Sequence, residues 1–170
     1  MALPKKLKDF NLFIEGEGYI GRAEEVQLPT LSRNTEDYRG AGMTGPVKID
    51  HGHEGLEASI TLGEHAAAVL RTWGIAGVDG VQLRFLGSAE ADDPEAEHVT
   101  VEVVMRGRFT EIDPGTVKTG DDNQMSLTAS LAYYRYSQNG EDLIEIDVLA
   151  GKEIVDGEDR NKQRRDALEI

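Results

Sequence analysis

Cysteine is missing from this chain of 170 residues. Disulfides, thiolate metal centres and a thiol nucleophile are therefore excluded. Apolar residues are lean at 39% and form no run long enough to cross a membrane. The opening Met1-Ala2-Leu3-Pro4-Lys5-Lys6 is basic, but no apolar stretch follows it, so it does not read as a signal peptide. A soluble protein made in a reducing cytoplasm is expected. Basic residues are scarce as well: 18 Lys and Arg stand against 32 Asp and Glu, for a net charge of −14. That balance argues against a protein that grips nucleic acid through phosphate contacts. It does not argue against one that surrounds DNA without holding it, since like charge repels and lowers friction. No serine or threonine sits in a nucleophile-elbow pattern, and no catalytic constellation or cofactor site assembles. There is no linker, repeat or low-complexity segment, so residues 1–170 read as one domain.

What is abundant is alternation. In Glu97–Ile112, Val99, Val101, Val103 and Met105 share one face, while Thr100, Glu102, Arg106 and Arg108 share the other, with Val104 as the exception. In Gln124–Tyr136, Met125, Leu127, Ala129, Leu131 and Tyr133 alternate with Gln124, Ser126, Thr128 and Ser130. Period two over this length marks half-buried strands, longer than usual. Asp113-Pro114-Gly115 and a polar loop join them. Shorter strands are predicted at Phe10–Ile14, Tyr19–Leu28, Val81–Leu86 and Leu143–Val148, the last entered through an Asn139-Gly140 hairpin turn. Val47–Asp50 and Leu56–Leu62 read as a hairpin-like pair. Ser32–Gly45, polar and glycine-bearing, reads as a long loop, and such loops in compact domains are usually functional or disordered. One central helix is predicted over Glu64–Trp73, with Ala66, Val69, Leu70 and Trp73 as its apolar stripe and Gly74 as its C-cap. A short C-terminal helix is predicted over the polar Asp156–Leu168, carrying Arg160, Lys162, Arg164 and Arg165. The expected fold is mainly β: an antiparallel sandwich or barrel-like domain with these two helices.

Four motifs invite sharper readings. Gly16-Glu17-Gly18-Tyr19-Ile20-Gly21 matches a dinucleotide fingerprint in letters, but that motif must open a helix, and the strand pattern that follows makes it a hairpin turn. His51-Gly52-His53 could offer two imidazoles to a metal, yet no third ligand is evident, and a polar turn is the plainer reading. Asp92-Asp93-Pro94-Glu95 lacks calcium-loop spacing and reads as a solvated acidic turn. Tyr133-Tyr134-Arg135-Tyr136 resembles a base-stacking platform, although strand tyrosines more often pack across strands.

Several segments spread along the chain carry a resemblance. They are Pro4-Lys5-Lys6-Leu7-Lys8 leading into Asn11-Leu12-Phe13, then Leu28-Pro29-Thr30-Leu31 and Tyr38-Arg39-Gly40-Ala41-Gly42-Met43. Glu102-Val103-Val104-Met105-Arg106-Gly107-Arg108, Glu111-Ile112-Asp113-Pro114-Gly115, Glu145-Ile146-Asp147 and Val155-Asp156-Gly157 followed by Arg164-Arg165 continue the series. In this order the sequence is similar to the major tail tube proteins of contractile-tailed phages and to the tube proteins of R-type bacteriocins. His51-Gly52-His53 is no part of that pattern.

The resemblance implies a structural virion protein of the tail, assembled in the bacterial host cytoplasm. Six copies would form a ring and rings would stack into a hollow tube inside a contractile sheath. Baseplate or tail-initiator proteins would be further partners. The tape measure protein and double-stranded DNA would pass through the lumen without specific binding. Residues 33–46 would then contact an adjacent subunit or ring through Tyr38, Arg39, Gly40, Ala41, Gly42 and Met43. Glu57, Ser59 and Thr61, or Glu145 and Asp147, would form rows facing the lumen or an acidic surface. Rival readings are a DNA-free bacteriocin tube, a secretion-system tube, and a small β-barrel enzyme or ligand-binding domain using His51 and His53.

Overall fold

The computed structural model describes residues 1–170, with twelve strands and two short helices. Its spine is the predicted ribbon. Strand β8 (Val99–Asp113) runs antiparallel to β9 (Met125–Gln138) along nearly their whole length. The far edge of β9 is shared by two partners. Its first half pairs with β6 (Leu56–Leu62), which in turn pairs with β3 (Ala23–Gln27). Its second half pairs with β10 (Glu141–Asp147), followed by β11 (Lys152–Val155) and β12 (Glu158–Asp159). On the other side, Val99–Gly107 of β8 pairs with β7 (Val81–Glu90), β7 with β1 (Lys6–Ile14), and β1 with β2 (Glu17–Gly18). The ten-stranded sheet thus divides into two leaves joined by the ribbon. The narrow leaf is β3, β6, the first half of β9 and the end of β8; the broad leaf holds the rest.

The leaves turn their apolar faces towards one core. Leu12, Ile14, Val103, Met105, Tyr134 and Ile146 come from the broad leaf. Leu56, Ile60, Leu62, Phe109, Met125 and Leu127 come from the narrow one. Two bulges keep both ends of the ribbon on this core. Ala132 has no opposite residue between the pairs Arg106–Tyr133 and Gly107–Leu131, so the inward set on β9 passes from odd to even positions. Tyr133 therefore points outward, not with Leu131 as the plain alternation predicts. Thr110 plays the same part on β8, shifting the inward set from Phe109 to Ile112.

Other departures have local causes. Ser32–Gly45 is not a loop throughout: β4 (Arg33–Tyr38) pairs with β5 (Val47–His53) in a separate two-stranded sheet. Every residue of β4 is exposed, so no inward face imposes alternation on the sequence. Val47–Asp50 accordingly pairs with this strand and not with Leu56–Leu62. The central helix shrinks to a single turn, α1 (Ala67–Leu70). Ala66 and Val69 reach the core, but Leu70 and Trp73 are exposed and Glu64 bonds Arg22 instead of sitting at a helix start. The C-cap of α1 is Arg71, not Gly74, which closes the turn that follows at φ +78°. Tyr19–Leu28 is not one strand, because a turn through Ile20 and Gly21 separates buried Tyr19 from β3. At the C-terminus, Asp156-Gly157 makes a hairpin turn at φ +51° and +76°, which leaves only Lys162–Leu168 for α2.

Burial of Tyr134 gives a testable consequence. Loss of water around its ring raises the phenol pKa from 10.0 to about 12. The unfolded chain then releases this proton at lower pH than the folded one, so stability is intact below pH 10 and falls as pH rises towards 12. Urea midpoints measured across that window are expected to decline. Tyr134→Phe should flatten the decline, and an unchanged slope would refute the assignment.

Candidate assembly surfaces

The β4–β5 hairpin stands away from the core. Its two faces differ in character. Direct pairs Tyr38–Val47 and Glu36–Ile49 put three large apolar side chains on one side, all exposed. Asp37 and Lys48, 2.8 Å apart, lie on the other with Thr35 and Asp50. Contiguous exposed apolar groups of this kind mark interaction surfaces.

The tip is compact. Met43 N–H donates to the Gly40 carbonyl at 3.2 Å, and the Gly40 N–H points at Met43 Sδ, 3.0 Å away. A Cβ on Gly40 would stand 3.1 Å from the Tyr38 hydroxyl, and Gly42 sits at φ +85°. Glycine is required at the second position by the left-handed backbone and suited to the first by crowding. Arg39 donates to the Met43 carbonyl at 3.4 Å and makes no ion pair within the chain. The six tip residues Tyr38–Met43 are thus brought together as one surface feature.

The hairpin is tied down at its base. Arg33 forms a two-point bond with Glu153 of β11, with one contact at 3.1 Å, and its Nε lies 3.6 Å from Asp50. Glu153 is only 5% exposed, so its carboxylate depends on this guanidinium for compensation. His53 Nε2 is 3.9 Å from the same carboxylate, whereas His51 Nε2 is 3.3 Å from Glu36. The two histidines belong to a strand, not a turn, and serve different carboxylates. No sequence signal linked Arg33 to Glu153 across 120 positions; only the fold reveals it.

The second surface is the outer face of the narrow leaf. Register places Glu25 and Gln27 of β3 beside Thr61 and Ser59 of β6. Glu57, Ser59 and Thr61 face Ser130, Thr128 and Ser126 of β9, and Arg108, Glu111 and Asp113 of β8 complete the rows. Every side chain on this face is polar, with four carboxylates against one guanidinium. Glu145 and Asp147 lie elsewhere, on the broad leaf between Arg135, Tyr133 and β11. The two candidate acidic rows therefore do not share a surface.

The third feature is a pair of open edges. In the narrow leaf β3 pairs only with β6, and Phe109–Asp113 of β8 pairs only with β9. Each leaves a row of main-chain donors and acceptors without a strand partner.

Comparison with known proteins points the same way. The family model for phage tail tube protein FII matches residues 4–168. The tail tube protein of Escherichia phage P2 is 43% identical over 168 residues, covering 97% of both chains. The major tail tube protein of Serratia phage KSP20 is 40% identical over 151 residues, covering 88% of this chain and 86% of that one. Among solved structures, a chain of the PVC extracellular contractile injection system, sheath/tube terminator in the extended state, is similar at a TM-score of 0.59. It is 12% identical, and the match covers 80% of this chain and 98% of that one. A chain from the PVC sheath-tube complex is similar at 0.56 with 14% identity, covering 79% and 91%. These structures share its fold.

Proposed function

Since this chain belongs to the phage tail tube protein FII family, a family of structural proteins, we propose that it closes with five copies of itself into a ring. The rings stack into the inner tube of a contractile tail, and the narrow leaf lines the channel. The observation that carries this reading is that leaf's combination of two open edges and a wholly polar outer face. The β3 edge of one copy supplies strand partners for the Phe109–Asp113 edge of the next, a head-to-tail contact that closes only as a ring. Six leaves of four strands at ~4.8 Å spacing make a backbone circle of roughly 37 Å diameter, before strand tilt widens it. That leaves room for a double helix once side chains are in place. Surplus carboxylates repel phosphate along the wall, which suits a conduit for DNA ejection.

In this arrangement the β4–β5 hairpin reaches a neighbouring subunit or ring and buries its apolar face there. The broad leaf faces outward, towards the sheath. Negative-stain microscopy of the purified protein tests the reading directly: hollow rings or tubes are expected, and a protein that stays monomeric at all concentrations, even with tail-initiating proteins supplied, would overturn it. Arg39, with no partner in its own chain, pairs with a carboxylate of the next copy. Arg39→Ala is expected to keep the thermal midpoint and raise the concentration needed for polymerisation at least about tenfold. Normal tubes from this variant would remove the tip from the interface.

A further inference from the structure

The outer face of the broad leaf carries three arginines around one small depression. Arg84 of β7 and Arg135 of β9 flank Val104 of β8 in a straight row across the sheet, and Arg106 lies two residues along β8. Val104, buried despite its outward position, forms the floor. Tyr133 forms a wall, with the Arg106 guanidinium stacked 4.1 Å from its ring centre. Glu102 closes one end and is shared, 2.9 Å from Arg84 and 3.3 Å from Arg135.

Glu102 is the one carboxylate that accepts hydrogen bonds from the group. Arg106 makes no ion pair at all in a chain with 32 acidic residues. The Nε atoms of Arg106 and Arg135 are both buried without a hydrogen-bond partner; Asp142, 3.8 Å from Arg135 Nε, is too far to accept. Buried donors left unpaired are costly in isolation and ready for an acceptor.

We propose that this depression receives a carboxylate side chain from an acidic segment of the protein that encloses the tube. The placement rests on the outward orientation of the broad leaf proposed above. The surroundings decide between carboxylate and nucleic-acid phosphate. Asp79, Asp142, Glu145 and Asp147 ring the patch. A single acidic side chain can enter between them, while an extended phosphodiester chain would meet this ring at every step. Planar guanidinium forks match a carboxylate at two points, which gives direction as well as attraction.

The test uses the purified full-length chain and a labelled, end-blocked helical peptide of alanine and glutamine carrying two glutamates four residues apart. Binding is read by fluorescence anisotropy at low salt, beside a control peptide with glutamine in both places. The glutamate peptide is expected to bind at least about tenfold more tightly, and Arg106→Gln or Arg84→Gln should remove the difference without moving the thermal midpoint. Glu57→Gln, on the other leaf, should leave it unchanged. Equal binding of the two peptides, discrimination that survives Arg106→Gln, or Arg106-dependent binding of a single-stranded oligonucleotide in preference to the peptide would each overturn the proposal. Tube formation is scored separately by microscopy. Tubes without discrimination end this inference alone; Arg106-dependent discrimination with no tubes, even with tail-initiating proteins supplied, ends the tube reading and with it the enclosing partner, while the carboxylate preference of the depression stands.

Discussion

Gly107→Ala is expected to remove a large share of the protein's stability. Gly107 lies where the ribbon crosses from broad to narrow leaf, next to the Ala132 bulge. A Cβ there would stand 2.0 Å from the Ser130 carbonyl oxygen and 2.9 Å from Leu131 Cα. Both are main-chain atoms of the strand that belongs to both leaves, so no side-chain rotation relieves the clash. The ribbon would have to part at its bend, opening the core around Phe109, Met105 and Leu131. Overpacking against backbone at such a site costs about 3 kcal/mol or more. Against a total stability of roughly 5–15 kcal/mol, that is a large share. Urea denaturation followed by circular dichroism checks it, with Gly55→Ala as the control because no atom lies within 4 Å of its Cβ position. Equal midpoints for the two variants would show that the ribbon does not depend on this close approach.

The second large effect concerns assembly. Replacing residues 39–46 with Asn-Gly should abolish tubes and spare the monomer. Tyr38 and Val47 are directly paired, so a two-residue turn joins them in the existing register. No side chain of β4 is buried, and the bonds of Arg33 to Glu153 and Asp50 at the base lie far from the cut. Stability should therefore stay within about 0.5 kcal/mol of the parent. Assembly, deprived of the whole tip, should fail at concentrations at least about a hundredfold above those sufficient for the parent, because the Arg39 ion pair is lost together with the main-chain hydrogen bonds and packing of the rest of the tip. Sedimentation and electron microscopy read the outcome. Tubes of normal length from the shortened chain would show that the hairpin tip is dispensable.

The sequence discloses this fold where one face of an element meets the core and the other meets water. Leu56–Leu62 and Met125–Leu131 alternate cleanly, as does Val99–Met105 but for Val104, and the structure sets each as a strand with that face inward. Asn139-Gly140 turns as its residue types require, at φ +50° and +79°. Legibility stops where burial stops. Strand β4 has no inward face, so nothing in Arg33–Tyr38 marks it. The bulge at Ala132 is one extra residue, and alternation read straight through it puts Tyr133 on the wrong side. Ala66–Ala68 favour helix intrinsically, yet only Ala66 and Val69 have a core to pack against, and one turn survives.

The candidate surfaces divide similarly. The outward position of Glu57, Ser59 and Thr61 follows from alternation within β6. The glycine-rich run at Tyr38–Met43 stands out through its resemblance to tail tube proteins. The open edges do not show in any residue type, because an edge is defined by pairing that is missing. The three arginines are 22 and 29 positions apart, and only the register of β7, β8 and β9 gathers them.

The shared ribbon has a mechanical meaning. In a tube built as proposed, β8 and β9 begin in one wall and finish in the other without a chain break. A thrust delivered to the exterior travels to the channel lining through peptide bonds, not through side-chain friction alone. Within each subunit of such a tube the outer and inner shells would move together.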